Sequence, residues 1–123
     1  MNYPKMYKIK QKFPTEKLED ITREIHDQFN LIQLNKKIKP GGRYAVTAGS
    51  RGISNLSLII KSVCDYIKNC GAIPFIVPSM GSHGGATGQG QAELLTHFGI
   101  TQEKIGAEII SSMDDVTLGA TSK

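Results

Sequence analysis

Apolar and polar residues follow two periods along this chain, and the switches between them mark out its elements. The segment MYKIKQKF (6–13) sets Tyr7, Ile9 and Phe13 against Lys8, Lys10 and Lys12, the period-two signature of a strand. Pro14 ends it. Thr15 can cap a helix whose apolar positions, Leu18, Ile21, Ile25, Phe29 and Ile32, trace one helical face. After the polar loop NKKIKPGG, residues 43–49 (RYAVTAG) read as a short apolar strand. Ser54 or Asn55 caps the clearest helix, with Leu56, Ile59, Ile60, Val63, Ile67 and Cys70 in one stripe and Gly71 as the expected left-handed residue past its end. Residues 73–78 (IPFIVP) form a continuous apolar run, as expected of a strand covered on both faces. A glycine-dense loop leads to a shorter helix carrying Ala92, Leu94, Leu95 and Phe98, stopped by Gly99. Thr101 opens one further turn, and residues 107–112 (AEIISS) read as a fourth strand.

The resulting order is βαβαβαβ. Strands joined through helices run parallel with right-handed crossovers, which predicts an α/β three-layer sandwich around a mostly parallel sheet. A length of 123 residues suits one domain, residues 1–123, with one core.

Composition narrows the function classes. Hydrophobic residues make up 39% and charged residues 21%, with a net charge of +4, which excludes a disordered polyelectrolyte. No apolar run approaches the ~20 residues of a membrane span, and MNYPKMYKIKQK lacks the apolar core of a signal peptide, so a cytoplasmic protein without a membrane partner is expected. The basic excess is local: residues 1–43 carry +5 and residues 44–123 carry −1. Lys8, Lys10 and Lys12 read as the solvated face of an edge strand, and the aromatic signature of a nucleic-acid-binding sheet is missing, so no nucleic-acid partner is expected. Cys64 and Cys70 show neither zinc spacing nor a disulfide framework and read as core or half-core thiols.

In such a sheet, ligands bind beyond the carboxyl ends of the strands. There the sequence places Ala48-Gly49-Ser50-Arg51-Gly52, then 79–90 (SMGSHGGATGQG), then 111–115 (SSMDD). Five of the ten residues from 81 to 90 are glycine, which lets backbone amides approach a ligand, and the loop feeds a helix amino terminus suited to an anion. It matches neither a Walker A sequence nor a dinucleotide fingerprint; a flexible surface turn is the plain alternative. His83, between Gly81 and Gly84, is placed to exchange protons near neutral pH, unless it is an ordinary exposed histidine. Arg51 suits a carboxylate or phosphate clamp, with a surface ion pair as its alternative. His26 and His97 read as helix-surface or boundary residues. Asp114 and Asp115 alone do not make a metal site, and no GxSxG elbow activates Ser50 or Ser82.

Taken together, TAGSRGISN, the helix after it, and PFIVPSMGSHGGATGQGQAELLTHFGIT resemble the nickel-dependent lactate racemase family, above all the amino-terminal domain of its uncharacterised relatives. The resemblance runs from Tyr7 to Gly119, and its specific part is GSHGGAT with the downstream LLTHFGIT. It implies an isomerase that holds a nickel pincer nucleotide between two domains. Such enzymes move a hydride from the substrate α-carbon to that cofactor and back, while histidines handle the hydroxyl proton. The family's Asp-x-Thr-Arg loop corresponds to Ala48-Gly49-Ser50-Arg51, which keeps a hydroxyl and the guanidinium and lacks the carboxylate. Its Gly-Thr-His-Arg stretch corresponds to Gly81-Ser82-His83-Gly84, which keeps the histidine and lacks the arginine.

The resemblance thus implies His83 as a catalytic residue and Ser50, Arg51, Gly81, Ser82 and Gly84 as cofactor-binding residues, with no metal ligand in this chain. The departures point to a short 2-hydroxy acid related to lactate, or another small anion. The family's second histidine, cofactor-bearing lysine and nickel-ligating histidine lie further along than this sequence reaches. The reading is therefore a truncated amino-terminal part, a racemase or epimerase when joined to the remainder of the same protein and inactive alone. A non-catalytic nucleotide- or phosphate-binding module and a plain interaction domain are the alternatives. A sheet edge or apolar helix face left open would promote homo-oligomers.

Overall fold

The computed structural model describes residues 4–14, 17–49 and 52–120. It is an α/β fold built on a three-stranded parallel sheet, β1 (Arg43–Ala48), β2 (Ile73–Pro78) and β3 (Glu108–Ile109), in that spatial order. Helix α1 (Ile21–Leu31) precedes the sheet, α2 (Leu56–Asn69) joins β1 to β2, and α3 (Gly88–His97) with the short α4 (Gln102–Ile105) joins β2 to β3. Among the described residues no helix is long and apolar enough to cross a membrane.

Helix α2 forms where its stripe and stop signals place it. Its cap Asn55 sits at φ 59 and makes no side-chain cap bond. At its other end Gly71, at φ 77, donates to the Lys68 carbonyl and Ala72 to that of Ile67, the paired bonds of a Schellman ending. Gly99 and Ile100 close α3 in the same way onto Thr96 and Leu95. Thr101 caps α4, as its position predicts, accepting from the Lys104 amide.

The core lies between the sheet and its helices. Val46, Ala48 and Ile76 point inward against Ile60, Cys64, Ile67, Leu95, Ile100 and Ile105. Each fully buried aliphatic side chain here is worth about 1.5–3 kcal/mol. Cys64 is buried and Cys70 half-buried, both as free thiols in keeping with their expected roles, and burial pushes the Cys64 thiol upward.

Three expectations change. Residues 6–13 form no strand: Tyr7, Ile9 and Phe13 are 80%, 86% and 70% exposed, because alternation supplies a pattern but not the partner that a ladder needs. Helix α1 starts at Ile21, where the Asp20 carboxylate accepts from the Arg23 amide at 2.9 Å, while Thr15 lies outside the described residues. Strand β2 is covered on one face only. With spatial order matching chain order, right-handed connections put the helices on the same side. The other face leaves Ile73 54% exposed and Phe75 and Val77 half-exposed. Arg43 crosses that face, 5.0 Å over the Phe75 ring and 3.1 Å from Glu108. Two layers are therefore present among the described residues.

Helix α1 packs on α2 through a mixed seam. The Thr22 and Ser62 hydroxyls meet at 2.8 Å, the Tyr66 hydroxyl donates to Asn30, and Tyr66 takes the rings of His26 and Phe29 edge-on. His26 is a half-buried boundary residue and His97 an exposed one on α3, as read from their neighbours.

On α2, Asp65 bridges Lys61 at 2.6 Å and Lys68 at 3.2 Å, and Lys68 also reaches the Ile105 carbonyl. Partial burial raises the Asp65 carboxyl, but hydrogen bonds and charge from both lysines outweigh it and hold it below the usual range. All three side chains are a third or more exposed, so Asp65→Asn should cost no more than about 1 kcal/mol near neutral pH. A lowered folded value gives stability that is present above the unfolded carboxylate and lost as pH falls through the folded one. Urea titrations should show the gap between parent and Asp65→Asn shrinking as the pH drops from about 5 toward about 2; an undiminished gap would contradict the bridge.

Candidate functional site

Parallel pairing brings the carboxyl ends of all three strands to one edge. The β1–β2 register ends at Ala48 opposite Pro78, and the Ser79 amide extends it by donating to the Ala48 carbonyl at 2.8 Å. On the other side the Ile110 amide donates to the Ile76 carbonyl at 2.8 Å, carrying β3 to the same rim. The Ser111 hydroxyl then donates to the Gly88 carbonyl at 2.6 Å. The segments starting at Gly49, Ser79 and Ile110 thus emerge together, as the strand order predicts.

The glycine-dense segment between β2 and α3 is a braced turn. Met80 is buried, and its carbonyl accepts from the His83 amide at 3.3 Å. His83–Ala86 makes a short 3-10 turn in which Gly84, Gly85 and Ala86 all have positive φ, between 55° and 67°. Thr87 caps α3, its hydroxyl accepting from the Gly90 amide at 3.1 Å. Helix α3 starts at Gly88, so Gly88 and Gly90 belong to the helix and not to the loop. A Cβ on Gly90 would stand 2.0 Å from the Gly84 oxygen, and one on Gly88 2.5 Å from the Ser111 oxygen. These helical glycines exist for close packing, which outweighs their poor helix propensity.

The buried Gln91 completes the brace. Its side-chain amide donates to the Gly81 carbonyl at 2.7 Å, tying the first turn of α3 to the start of the loop. Nothing in the pattern along the chain singled out Gln91, Ser111 or Met80, because each acts through contacts made only after folding. Burial of a glutamine among glycines is the signal that reveals this support.

His83 is half-buried and sits at the head of the 3-10 turn. Gly81 and Ser82 are exposed beside it, and a Cβ on Gly81 would meet open space. Gly84 is half-buried against Gly90, so its lack of a side chain is explained by packing against the first turn of α3. Ser50 and Arg51 lie outside the described residues; Gly49, which precedes them, leaves the rim at the end of β1. Asp114 is exposed and accepts from Ser112 in a local turn. Among the described residues no three His, Cys, Asp or Glu side chains gather in a metal-binding group.

A concavity of about 500 Å³ lies along the outer edge of β1 and is bordered by none of residues 79–90. Gly81 and Ser82 are exposed, so the described part of the candidate site is an open rim. Compared with protein-family models, curated proteins and solved structures, the chain finds no match.

The brace predicts a graded response to alanine. Gly84→Ala joins a left-handed backbone to a Cβ 2.5 Å from the Gly90 backbone and should cost at least about 2 kcal/mol. Gly85→Ala, at φ 67 with open space, should cost only about 1–2 kcal/mol. Thermal or urea unfolding of both variants checks the order; equal losses would mean that the Gly84–Gly90 contact adds nothing.

Proposed function

We propose that this chain is the amino-terminal, rim-bearing part of a lactate-racemase-like isomerase acting on a short 2-hydroxy acid. The observation that carries the reading is the braced turn, which holds His83 and the exposed Gly81 and Ser82 at the carboxyl rim beside the end of β1. Those are the positions through which the sequence resembles the racemase family, and a parallel sheet places ligands at such a rim.

In this reading each side chain has a distinct task. His83 takes the proton of the substrate hydroxyl and returns it, the work of a positioned general acid–base group. Arg51 clamps the substrate carboxylate or a cofactor phosphate through its guanidinium fork, with Ser50 beside it as a hydroxyl donor. Gly81 and Ser82 offer an exposed backbone and a hydroxyl to the nickel pincer nucleotide, and Gly84 gives the turn its shape. The open space over Gly81 suits contact with such a cofactor, and the reading, following the family resemblance, looks for the nickel ligand in the remainder of the protein. When bound, that cofactor supplies the acceptor and donor of the substrate's α-hydride.

The remainder of the same protein completes the architecture in this proposal. The open sheet face, with Ile73, Phe75 and Val77 uncovered, suits a third layer in a cytoplasmic enzyme.

The test is turnover of a panel of short 2-hydroxy acids by the full-length protein loaded with nickel pincer nucleotide. His83→Ala should lower kcat by about 10²–10⁴-fold with cofactor occupancy kept. Arg51→Ala should mainly raise KM or lower occupancy. Chain 1–123 by itself should interconvert no enantiomers. Full turnover by His83→Ala would reduce His83 to a loop residue. Tight binding of a nucleotide or phosphate without any turnover would favour a binding module instead.

A further inference from the structure

We propose that the backbone amide of Ser82 is the rim's donor to an anionic oxygen, and that Gln91 is the positioning residue that aims it. The inference rests on the isomerase reading for the class of anion, a short carboxylate or a phosphate. The donor and its support stand on the turn itself.

The turn fixes which groups are left over. The His83 amide returns to the Met80 carbonyl at 3.3 Å, so residues 80–83 form a β-turn with Gly81 and Ser82 at its centre. Gly81 has φ 60, and Ser82 has φ −80 with ψ 1. A positive φ at the first central position and a negative one at the second is the type II′ pattern, in which glycine fills the first place. The closing hydrogen bond uses the Met80 carbonyl and the His83 amide. The central peptide, which joins the Gly81 carbonyl to the Ser82 amide, is left for other partners.

Gln91 takes one end of that peptide. Its side-chain amide donates to the Gly81 carbonyl at 2.7 Å, and the residue is only 6% exposed. Among the described residues no peptide bond is cis, and across a trans peptide the carbonyl and the amide point in opposite directions. A Gly81 carbonyl turned inward to a buried side chain therefore turns the Ser82 amide outward. Ser82 is exposed, and a Cβ built on Gly81 would meet nothing within 4 Å, so the approach is open. Among the described residues neither the amide nor the hydroxyl of Ser82 has a hydrogen-bond partner.

The support matters because glycine lets its peptide rotate at little steric cost. Burying a glutamine is unfavourable unless its polar atoms are bonded, and here the bond goes to the one peptide that the turn leaves loose. A donor held in place needs no reorganisation when charge arrives, which separates it from an exposed amide on a mobile loop.

The donor set indicates the ligand. The N–H and the O–H of one residue stand together on an open surface, and residues 80–90 contain no acidic side chain to repel an anion. Hydrogen bonds to an ionised oxygen are roughly twice as strong as neutral ones. A short carboxylate and a phosphate both supply such an oxygen, and titrating each separates them.

A ¹⁵N–¹H NMR titration of the unmodified chain 1–123 with sodium lactate and, separately, inorganic phosphate tests the proposal, with ionic strength held constant by chloride. The Ser82 amide proton should move downfield and saturate, with a Kd on the order of 10 mM for the better probe. Ser82→Pro removes the N–H at a φ that proline accepts, so it should abolish the saturable shifts of the neighbouring Gly81 and His83 amides. Ser82→Ala keeps the N–H and should retain them. Gln91→Met should weaken the Ser82 response at least about fivefold while the amides of α2 hold their positions. No saturable shift at Ser82 with either probe overturns the proposal, and so does a Ser82→Pro variant that responds like the parent. A Gln91→Met variant with a lowered urea midpoint and an intact Ser82 response would make Gln91 purely structural and overturn its positioning role. No turnover enters these measurements, so anion binding at Ser82 without racemisation by the full-length protein would sink the isomerase reading alone.

Discussion

The constraint on which the molecule depends is the parallel ladder between β1 and β2, in register from Arg43 opposite Ile73 to Ala48 opposite Pro78. Parallel neighbours cannot be joined by a tight turn, so the chain must return across the sheet through α2. That return builds the core, because the apolar stripe of α2 lands on Val46, Ala48 and Ile76. It also decides where chemistry can occur. Every strand ends on the same edge, and segments that leave the sheet there are neighbours in space although about thirty residues apart in the chain.

The rim would be a loose set of loops without the glycine contacts behind it. Gly84 against Gly90 and Gly88 against Ser111 press the turn onto the first turn of α3 and onto the end of β3. Gln91 and Thr87 supply the hydrogen bonds that hold these surfaces together. The same closeness limits the anion-binding capacity of the α3 amino terminus, since the Gly90 amide is already taken by the Thr87 hydroxyl. The support leaves Gly81 and Ser82 exposed and His83 half-buried, so the loop gives one region to structure and another to a ligand.

Features encoded locally were legible in the residues. The stripe of α2, its ending at Gly71, the Thr101 cap and the two longer strands all follow from patterns within a few residues. Features that depend on distant partners were not. The alternation of 6–13 is a real strand pattern, but no ladder forms from pattern alone. The cover expected over both faces of β2 failed because an apolar run does not say how many layers surround it. Gly88 and Gly90 read as loop residues by propensity, whereas contact with Gly84 and Ser111 places them in a helix. For the site, the gathering of strand ends was legible from the βα order and the supporting shell was not. Ser50 and Arg51 lie outside the described residues, so His83, Gly81, Ser82 and Gly84 are the candidates whose surroundings the structure gives.

The central claim is that the segment from Gly81 to Gly90 is a built, rigid rim and not a surface turn. Backbone ¹⁵N relaxation measures this directly on the ps–ns timescale. The account predicts order parameters near about 0.85 across 81–90, matching α2. Values below about 0.6 there, with α2 remaining rigid, would contradict it and return the glycine-rich segment to a flexible loop.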